Sequence, residues 1–239
     1  MTWSIVAHDP ASGAFAVAVT TCAFAVGARC PYLRRGVGAV CTQSMTNPYL
    51  GPAILDALER GLAPQVALRS VLAGDEGAGL RQVHCVDAQG RTAAWTGGNC
   101  VEWCGDRAGA GFSVAGNMLA GAAVIDETVR VFAAGGALPL PERLVAALDA
   151  GEAAGGDKRG RQSAALLLTT TEDFADMNLR VDDHTAPLEE LRRLLGVWRR
   201  SVEPRRAWFP SRANPAGNTD LDAMEAAWAK AGLSLRFRR

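Results

Sequence analysis

Lysine is nearly missing from this chain: of 25 basic residues only Lys158 and Lys230 are lysines. Arginine carries the positive charge, beside abundant Ala and Gly, a bias of composition to which no function attaches. Histidine is scarce too, with 3 in 239 residues, and the formal net charge is zero. A chain without net charge or polar low-complexity runs is neither a disordered tail protein nor a broadly basic nucleic-acid binder. No apolar run approaches the roughly 20 residues a membrane helix needs. No charged segment followed by an apolar one opens the sequence, so a cytoplasmic protein is expected. Its six cysteines, at 22, 30, 41, 85, 100 and 104, are then expected as reduced thiols, mostly small core side chains. Cys100 and Cys104 with His84 and Cys85 match no standard zinc spacing, so neither a metal nor an organic cofactor is expected.

The zero charge hides an asymmetry. Residues 1–184 hold 14 basic and 19 acidic side chains, and residues 185–239 hold 11 and 6. The division predicts an acidic body, 1–184, and a basic helical extension, 185–239, that either packs against that body or a subunit or faces a partner. A homo-oligomer acting on a small molecule is expected, with no nucleic acid or membrane as partner.

Two β-rich runs, Thr2 to His8 and Ala14 to Thr20, joined by Asp9-Pro10-Ala11-Ser12-Gly13, read as a hairpin. A third strand spans Gly36 to Gln43. Helical spacing follows at Ile54, Leu55 and Leu58, then at Val66, Leu68, Val71 and Leu72. A second hairpin, Gln82 to Val86 and Arg91 to Thr96, precedes a strand at Phe112 to Ala115. Helices recur at Val124 to Phe132 and Glu142 to Ala150, with closing strands at Ser163 to Thr170 and Leu179 to Val181. Strands and paired helices in this order predict an α+β fold, a four-layer α-β-β-α sandwich of two antiparallel sheets. The extension contributes a helix through Leu188, Leu191, Leu195 and Trp198 and another at Leu221 to Ala231.

Position singles out Thr2. Methionine removal before a small residue would expose a threonine whose own α-amine, with a pKa of about 7.7 to 8.0, can deprotonate its hydroxyl. The plainer reading is a threonine that merely starts a strand. Gly155 to Ser163 is a polar, glycine-rich loop running into a strand; it is not a Walker loop. There Arg159 and Arg161 can hold a substrate carboxylate and Asp157 can anchor them or an amine, or all three can brace a turn. Asn117 ends a strand and is either an oxyanion donor or a turn former; Gln43 shares that ambiguity as a substrate contact. Asp182-Asp183-His184 reads as a cap for the following helix. His8, six residues from Thr2 and about 20 Å along an extended strand, is out of its reach.

Thr2-Trp3-Ser4-Ile5-Val6-Ala7-His8-Asp9, Ala25-Val26-Gly27, Gly36-Val37-Gly38-Ala39-Val40, Asn47-Pro48, Gly51-Pro52, Gly116-Asn117, Gly156 to Ser163 and Arg180-Val181-Asp182-Asp183-His184 together resemble the family called domain of unknown function 1028. The resemblance covers about residues 2 to 184, and the tail is similar to that family's short extension. The family is similar to the N-terminal nucleophile (Ntn) hydrolases. The resemblance implies the same sandwich, with Thr2 as nucleophile of an amidohydrolase cleaving C–N bonds in a small, carboxylated substrate. Thr20-Thr21-Cys22 stands where the proteasome pattern has a lysine after the second strand. The alternative is a non-catalytic ligand-binding or assembly module on the same fold.

Overall fold

The computed structural model of the chain describes residues 2–233, in two units, Met1–Arg192 and Arg193–Arg239. In the first, the opening apolar runs become β1 (Thr2–Asp9) and β2 (Ala14–Thr21), antiparallel, with Trp3 opposite Thr20 and Asp9 opposite Ala14. All of β2 is buried, as its unbroken run of small apolar residues requires of a strand covered on both faces.

The hairpin sits at the middle of a six-stranded sheet ordered β10-β9-β2-β1-β8-β7, completed by β7 (Gly105–Gly109), β8 (Phe112–Asn117), β9 (Ser163–Thr169) and β10 (Met177–Val181). A four-stranded sheet, β3-β4-β5-β6, comprises β3 (Pro31–Arg34), β4 (Gly38–Ser44), β5 (Arg81–Asp87) and β6 (Thr92–Thr96). Every pairing is antiparallel. The sheets face each other through β1, β2 and β8 on one side and β4 and β5 on the other. Helices α1 (Leu50–Glu59) and α2 (Pro64–Leu72) cover the smaller sheet, and α3 (Ala123–Ala134) and α4 (Leu140–Ala153) the larger. This is the α-β-β-α sandwich expected from the order of elements. Strands β3 and β7 are not evident in the sequence. Both lie on sheet edges; one starts at Pro31 and the other is bounded by glycines, compositions of low strand propensity that pairing overrides.

Each sheet thus has two buried faces. Val40, Val83 and Cys85 pack outward with Ile54, Leu55, Leu58, Leu68 and Leu72 of α1 and α2, while Val6, Phe15, Val17 and Val19 meet Ala39, Cys41 and Val86 between the sheets. On the outer face of the larger sheet, Trp3 and Ile5 are buried. Trp3 lies so close to α4 that a Cβ on Gly151 would stand 2.9 Å from its Nε1 and 2.4 Å from Thr128 Oγ1.

The second unit includes the last turns of α5 (Pro187–Ser201), a 3-10 turn at Glu203–Trp208 and α6 (Leu221–Lys230). Asp220 caps α6 by accepting from Ala223 N at 3.0 Å. Several of its arginines are engaged within the unit: Arg199 with Glu203, Arg205 over the Trp228 ring at 5.0 Å and Arg206 over Trp198 at 5.9 Å. Among the described residues no helix is long and apolar enough to cross a membrane.

Gly151 tests the α4 contact. Alanine there would gain about 1 kcal/mol of helix propensity, but overpacking against Thr128 and Trp3 costs roughly 1–3 kcal/mol. Gly151→Ala is expected to destabilise the fold by a net amount of up to about 2 kcal/mol, read as a lower urea midpoint; a stabilised variant would mean that α4 is not packed this closely.

Candidate functional site

Strand alternation aims Thr2, Ser4 and Val6 of β1 at the opposing sheet. Thr2 and Ser4 are polar and buried there, so each needs partners. Ser4 Oγ lies 2.7 Å from Gln43 Oε1 and 2.7 Å from His84 Nε2. Gln43 Nε2 faces carbonyl oxygens only: Gln82 Oε1 at 2.8 Å, Ala115 O at 3.1 Å and Thr2 O at 3.4 Å. That fixes the Gln43 amide with Oε1 toward Ser4. Ser4 has one proton, which goes to Gln43, so His84 Nε2 must carry hydrogen and donate to Ser4. His84 Nδ1 is then the acceptor and takes the Ser113 hydroxyl at 3.1 Å. Gln82 continues the chain, its Nε2 donating to Gly116 O at 2.8 Å and Thr96 Oγ1 at 2.9 Å, while its Oε1 accepts from Asn117 Nδ2 at 2.9 Å. Asn117, opposite Thr2 in the register, also donates to Thr2 O at 3.4 Å.

Five side chains of this network, Ser4, Gln43, Gln82, His84 and Ser113, have no exposed surface, and Asn117 is buried. Burial pushes the His84 pKa down to about 3, against a smaller upward pull from the Ser113 main chain. The imidazole is neutral and sealed from solvent.

The Thr2 main-chain carbonyl is held by two amides, Gln43 and Asn117, while its Oγ1 donates to Thr21 Oγ1 at 3.2 Å. Thr2 and Thr21 lie on the wall of a cavity of about 350 Å³, with Ser44, Thr46, Cys30 and Arg29 among the other lining residues. Phe24, Val26, Met45 and Pro48 give it apolar walls. Phe24 and Met45 are exposed large hydrophobics. Among the described residues three that are not glycine have left-handed backbone, Ala25 (φ 55), Ser44 (φ 70) and Met118 (φ 54), and all three belong to this end of the sandwich: one beside Val26, one in the cavity wall, one next to Asn117. Such conformations cost about 1–3 kcal/mol each and gather at functional sites.

The lining contains no carboxylate, imidazole or ammonium side chain among the described residues. Cys30 is a poor nucleophile, because burial pushes its thiol up to about 11. No group of three or more metal-liganding side chains occurs among the described residues.

Of the residues singled out in the sequence, Thr2, Gln43 and Asn117 come together. Both amide hydrogens of Asn117 go to protein acceptors, which leaves none for an oxyanion in this arrangement. The Gln43 side chain is fully buried behind Thr2, outside the cavity wall. Asp157 accepts from Cys22 N at 2.9 Å and Arg159 N at 2.8 Å and pairs with the Arg159 guanidinium at 3.2 Å, bracing a loop whose Gly155, Gly156 and Gly160 adopt positive φ. Arg161 pairs with Glu152 of α4 at 3.3 Å. Neither guanidinium lines the Thr2 cavity. Asp182 pairs with Arg180, Asp183 accepts from Gln162 Nε2 at 3.1 Å, and His184 Nδ1 accepts from Ala186 N at 3.0 Å, one residue ahead of α5. Sequence reasoning missed Thr21, Ser4, Gln82 and Ser113 as partners of Thr2 or its support. The available signal was parity: Gln82 and His84 alternate with Val83 and Cys85.

Comparison with known proteins bears on the whole arrangement. The model of the Family of unknown function (DUF1028) matches residues 2–191. The crystal structure of protein SPO2555 from Silicibacter pomeroyi, assigned to DUF1028, is similar with a TM-score of 0.85 at 29% identity, over 90% of this chain and 94% of that one. A slighter likeness, TM-score 0.37 at 13% identity over 84% of this chain and 96% of the other, is to Anbu, an ancestral beta-subunit from Yersinia bercovieri; it is too remote to bear on fold or activity. No curated protein matches the sequence.

The neutral His84 makes a pH test. Its pKa falls from 6.5 to about 3 on folding, so below about pH 6.5 the unfolded chain takes up a proton that the folded chain refuses. The resulting stability is full above that pH and is lost as pH falls toward 3, at up to about 1 kcal/mol per pH unit. Urea-unfolding free energies between about pH 7 and pH 4 should therefore decline more steeply for wild type than for His84→Gln. Equal slopes would show that His84 titrates normally.

Proposed function

The chain belongs to the DUF1028 family of unknown function, and we propose that it is an Ntn-type hydrolase of an amide C–N bond in a small molecule, with Thr2 as the nucleophile. One observation carries this reading: Thr2, the residue that follows Met1, is the β1 side chain on the cavity wall, with its carbonyl clamped by Gln43 and Asn117. Met1 lies outside the described residues, and its removal is part of the proposal.

Once the α-amine is free, Thr2 Oγ1 attacks the substrate carbonyl carbon and passes its proton to that amine. The tetrahedral intermediate collapses, the C–N bond breaks, and the ammonium returns the proton to the leaving nitrogen. Water, deprotonated by the same amine, then cleaves the Thr2 ester, releases the acid and restores the hydroxyl. Gln43, Asn117 and Thr21 act as positioning residues, the amides through the Thr2 carbonyl and Thr21 through Oγ1. The lining supplies no other base, which makes the α-amine indispensable. A cytoplasmic location belongs to the same reading and suits six free cysteines.

That same lack of a second base favours the other reading, a ligand-binding module that performs no chemistry. The two separate on the amino terminus. Intact mass of protein purified from its native host is expected to show Met1 gone; full retention would overturn the nucleophile. With Met1 removed, Thr2→Ala should lose turnover of an amide panel by roughly a thousand-fold or more while its melting temperature stays close to wild type, and Thr2→Ser should keep part of the activity. Unchanged turnover in Thr2→Ala would move the chemistry elsewhere.

A further inference from the structure

Resting on that reading of the cavity, we infer that Arg29 is the anion-binding residue of the site and that the substrate is an apolar amide bearing a carboxylate, N-acyl amino acids being the simplest such class. Three arginines compete for this role. Arg159 is paired with Asp157 and Arg161 with Glu152, so each already neutralises a carboxylate of the protein. Arg29 lines the Thr2 cavity and forms no ion pair among the described residues. Its one side-chain hydrogen bond among the described residues is a long one, from Nη2 to Phe24 O at 3.5 Å. A guanidinium has five N–H donors in a planar fork that matches a carboxylate, and this one still has most of them to offer.

The segment that carries Arg29 is pinned. Ala25 N donates to Asp182 O at 2.9 Å, Val26 N to Ser163 Oγ at 3.1 Å, and Ser163 Oγ to Ala23 O at 2.6 Å. A 3-10 turn, Val26–Ala28, then closes with Arg29 N and Cys30 N both donating to Val26 O at 3.2 Å. The left-handed Ala25 is the strained point of that course, and the turn delivers the Arg29 backbone to a fixed place on the rim. Binding then has to order the Arg29 side chain but not the segment that carries it.

The remaining lining sets the rest of the ligand. About 350 Å³ is near the low end for small-molecule pockets, too small for a folded partner. Phe24, Val26, Met45 and Pro48 accept an apolar group, and Thr2, Thr21, Ser44 and Thr46 present hydroxyls to an amide.

The test measures binding without turnover. Thr2→Ala protein is titrated calorimetrically with N-acetyl derivatives of leucine, methionine and phenylalanine, each as free acid and as neutral carboxamide. At least one acid is expected to bind roughly tenfold or more tightly than its carboxamide. Adding Arg29→Gln should abolish that preference, Arg29→Lys should restore part of it, and Arg161→Gln should leave it intact. No preference for any acid, or a preference that survives Arg29→Gln, overturns the inference. Since the readout is affinity in a variant without the nucleophile, an Arg29-dependent preference stands even if wild-type protein proves to hydrolyse nothing, and turnover of neutral amides alone would sink Arg29 while sparing Thr2.

Discussion

The Gln43 side-chain amide ties in three other strands at once. It donates to Thr2 O on β1, Ala115 O on β8 and Gln82 Oε1 on β5, and it accepts from Ser4 on β1, all from its own place on β4. In a dry space between two sheets its loss would take one hydrogen bond from each of those partners, leaving Asn117 alone on Thr2 O and Gln82 Oε1 and His84 alone on Ser4. Apolar contacts such as Val6 against Ala39 and Val86 hold the sheets together but tolerate sliding. A directed hydrogen-bond chain does not, because sliding one sheet by a residue would carry the Gln43 amide out of reach of Thr2 O and Ala115 O. The amide chain thus fixes how the sheets face each other, and the position of Thr2 follows from it.

The architecture was legible in the sequence to the extent that packing obeys periodicity. The opening hairpin and the pairs α1, α2 and α3, α4 stand where runs such as Ile54, Leu55 and Leu58 put them. Edge strands β3 and β7 were not legible, since Pro31 and the flanking Gly105 and Gly109 argue against strands and only neighbouring strands make them so. The polar seam was hidden for a different reason. Alternation in Gln82-Val83-His84-Cys85 suggests one wet face and one dry face. In a four-layer sandwich both faces are covered, so the pattern separates two kinds of interior instead. Thr2, Gln43 and Asn117 were recognisable by position and family resemblance. The engagement of Arg159 and Arg161 by Asp157 and Glu152 depends on where a glycine-rich loop folds back, which charge counting along the chain does not reveal.

Backbone strain is distributed as the seam would suggest. Ala25, Ser44 and Met118 follow or flank the elements that end beside Thr2, and each left-handed turn there diverts the chain immediately after a strand or loop has delivered a side chain to the site. Ser44 directly follows Gln43, and Met118 directly follows Asn117. The two amides that hold the Thr2 carbonyl are thus the last regular residues before their strands turn away. Rigidity behind Thr2 and sharp departure around it are the two requirements for leaving a small cavity open at the end of an otherwise filled interface.

The ionisable groups near Thr2 sharpen what that cavity can do. His84 is close in the network but neutral and enclosed, and Cys30 lies in the wall with its thiol held protonated by burial. Asp157 spends its oxygens on Cys22, Arg159 and the turn they form. If the Thr2 hydroxyl reacts, its proton has to leave through the α-amine, so chemistry is conditional on how the chain begins. The clamps from Gln43 and Asn117 grip the Thr2 carbonyl, on the far side of the residue from that amine, so cleavage of the preceding peptide bond leaves every one of those hydrogen bonds in place. A site assembled from the carbonyl side is therefore indifferent to what precedes Thr2, and the proposed chemistry is the one step that is not.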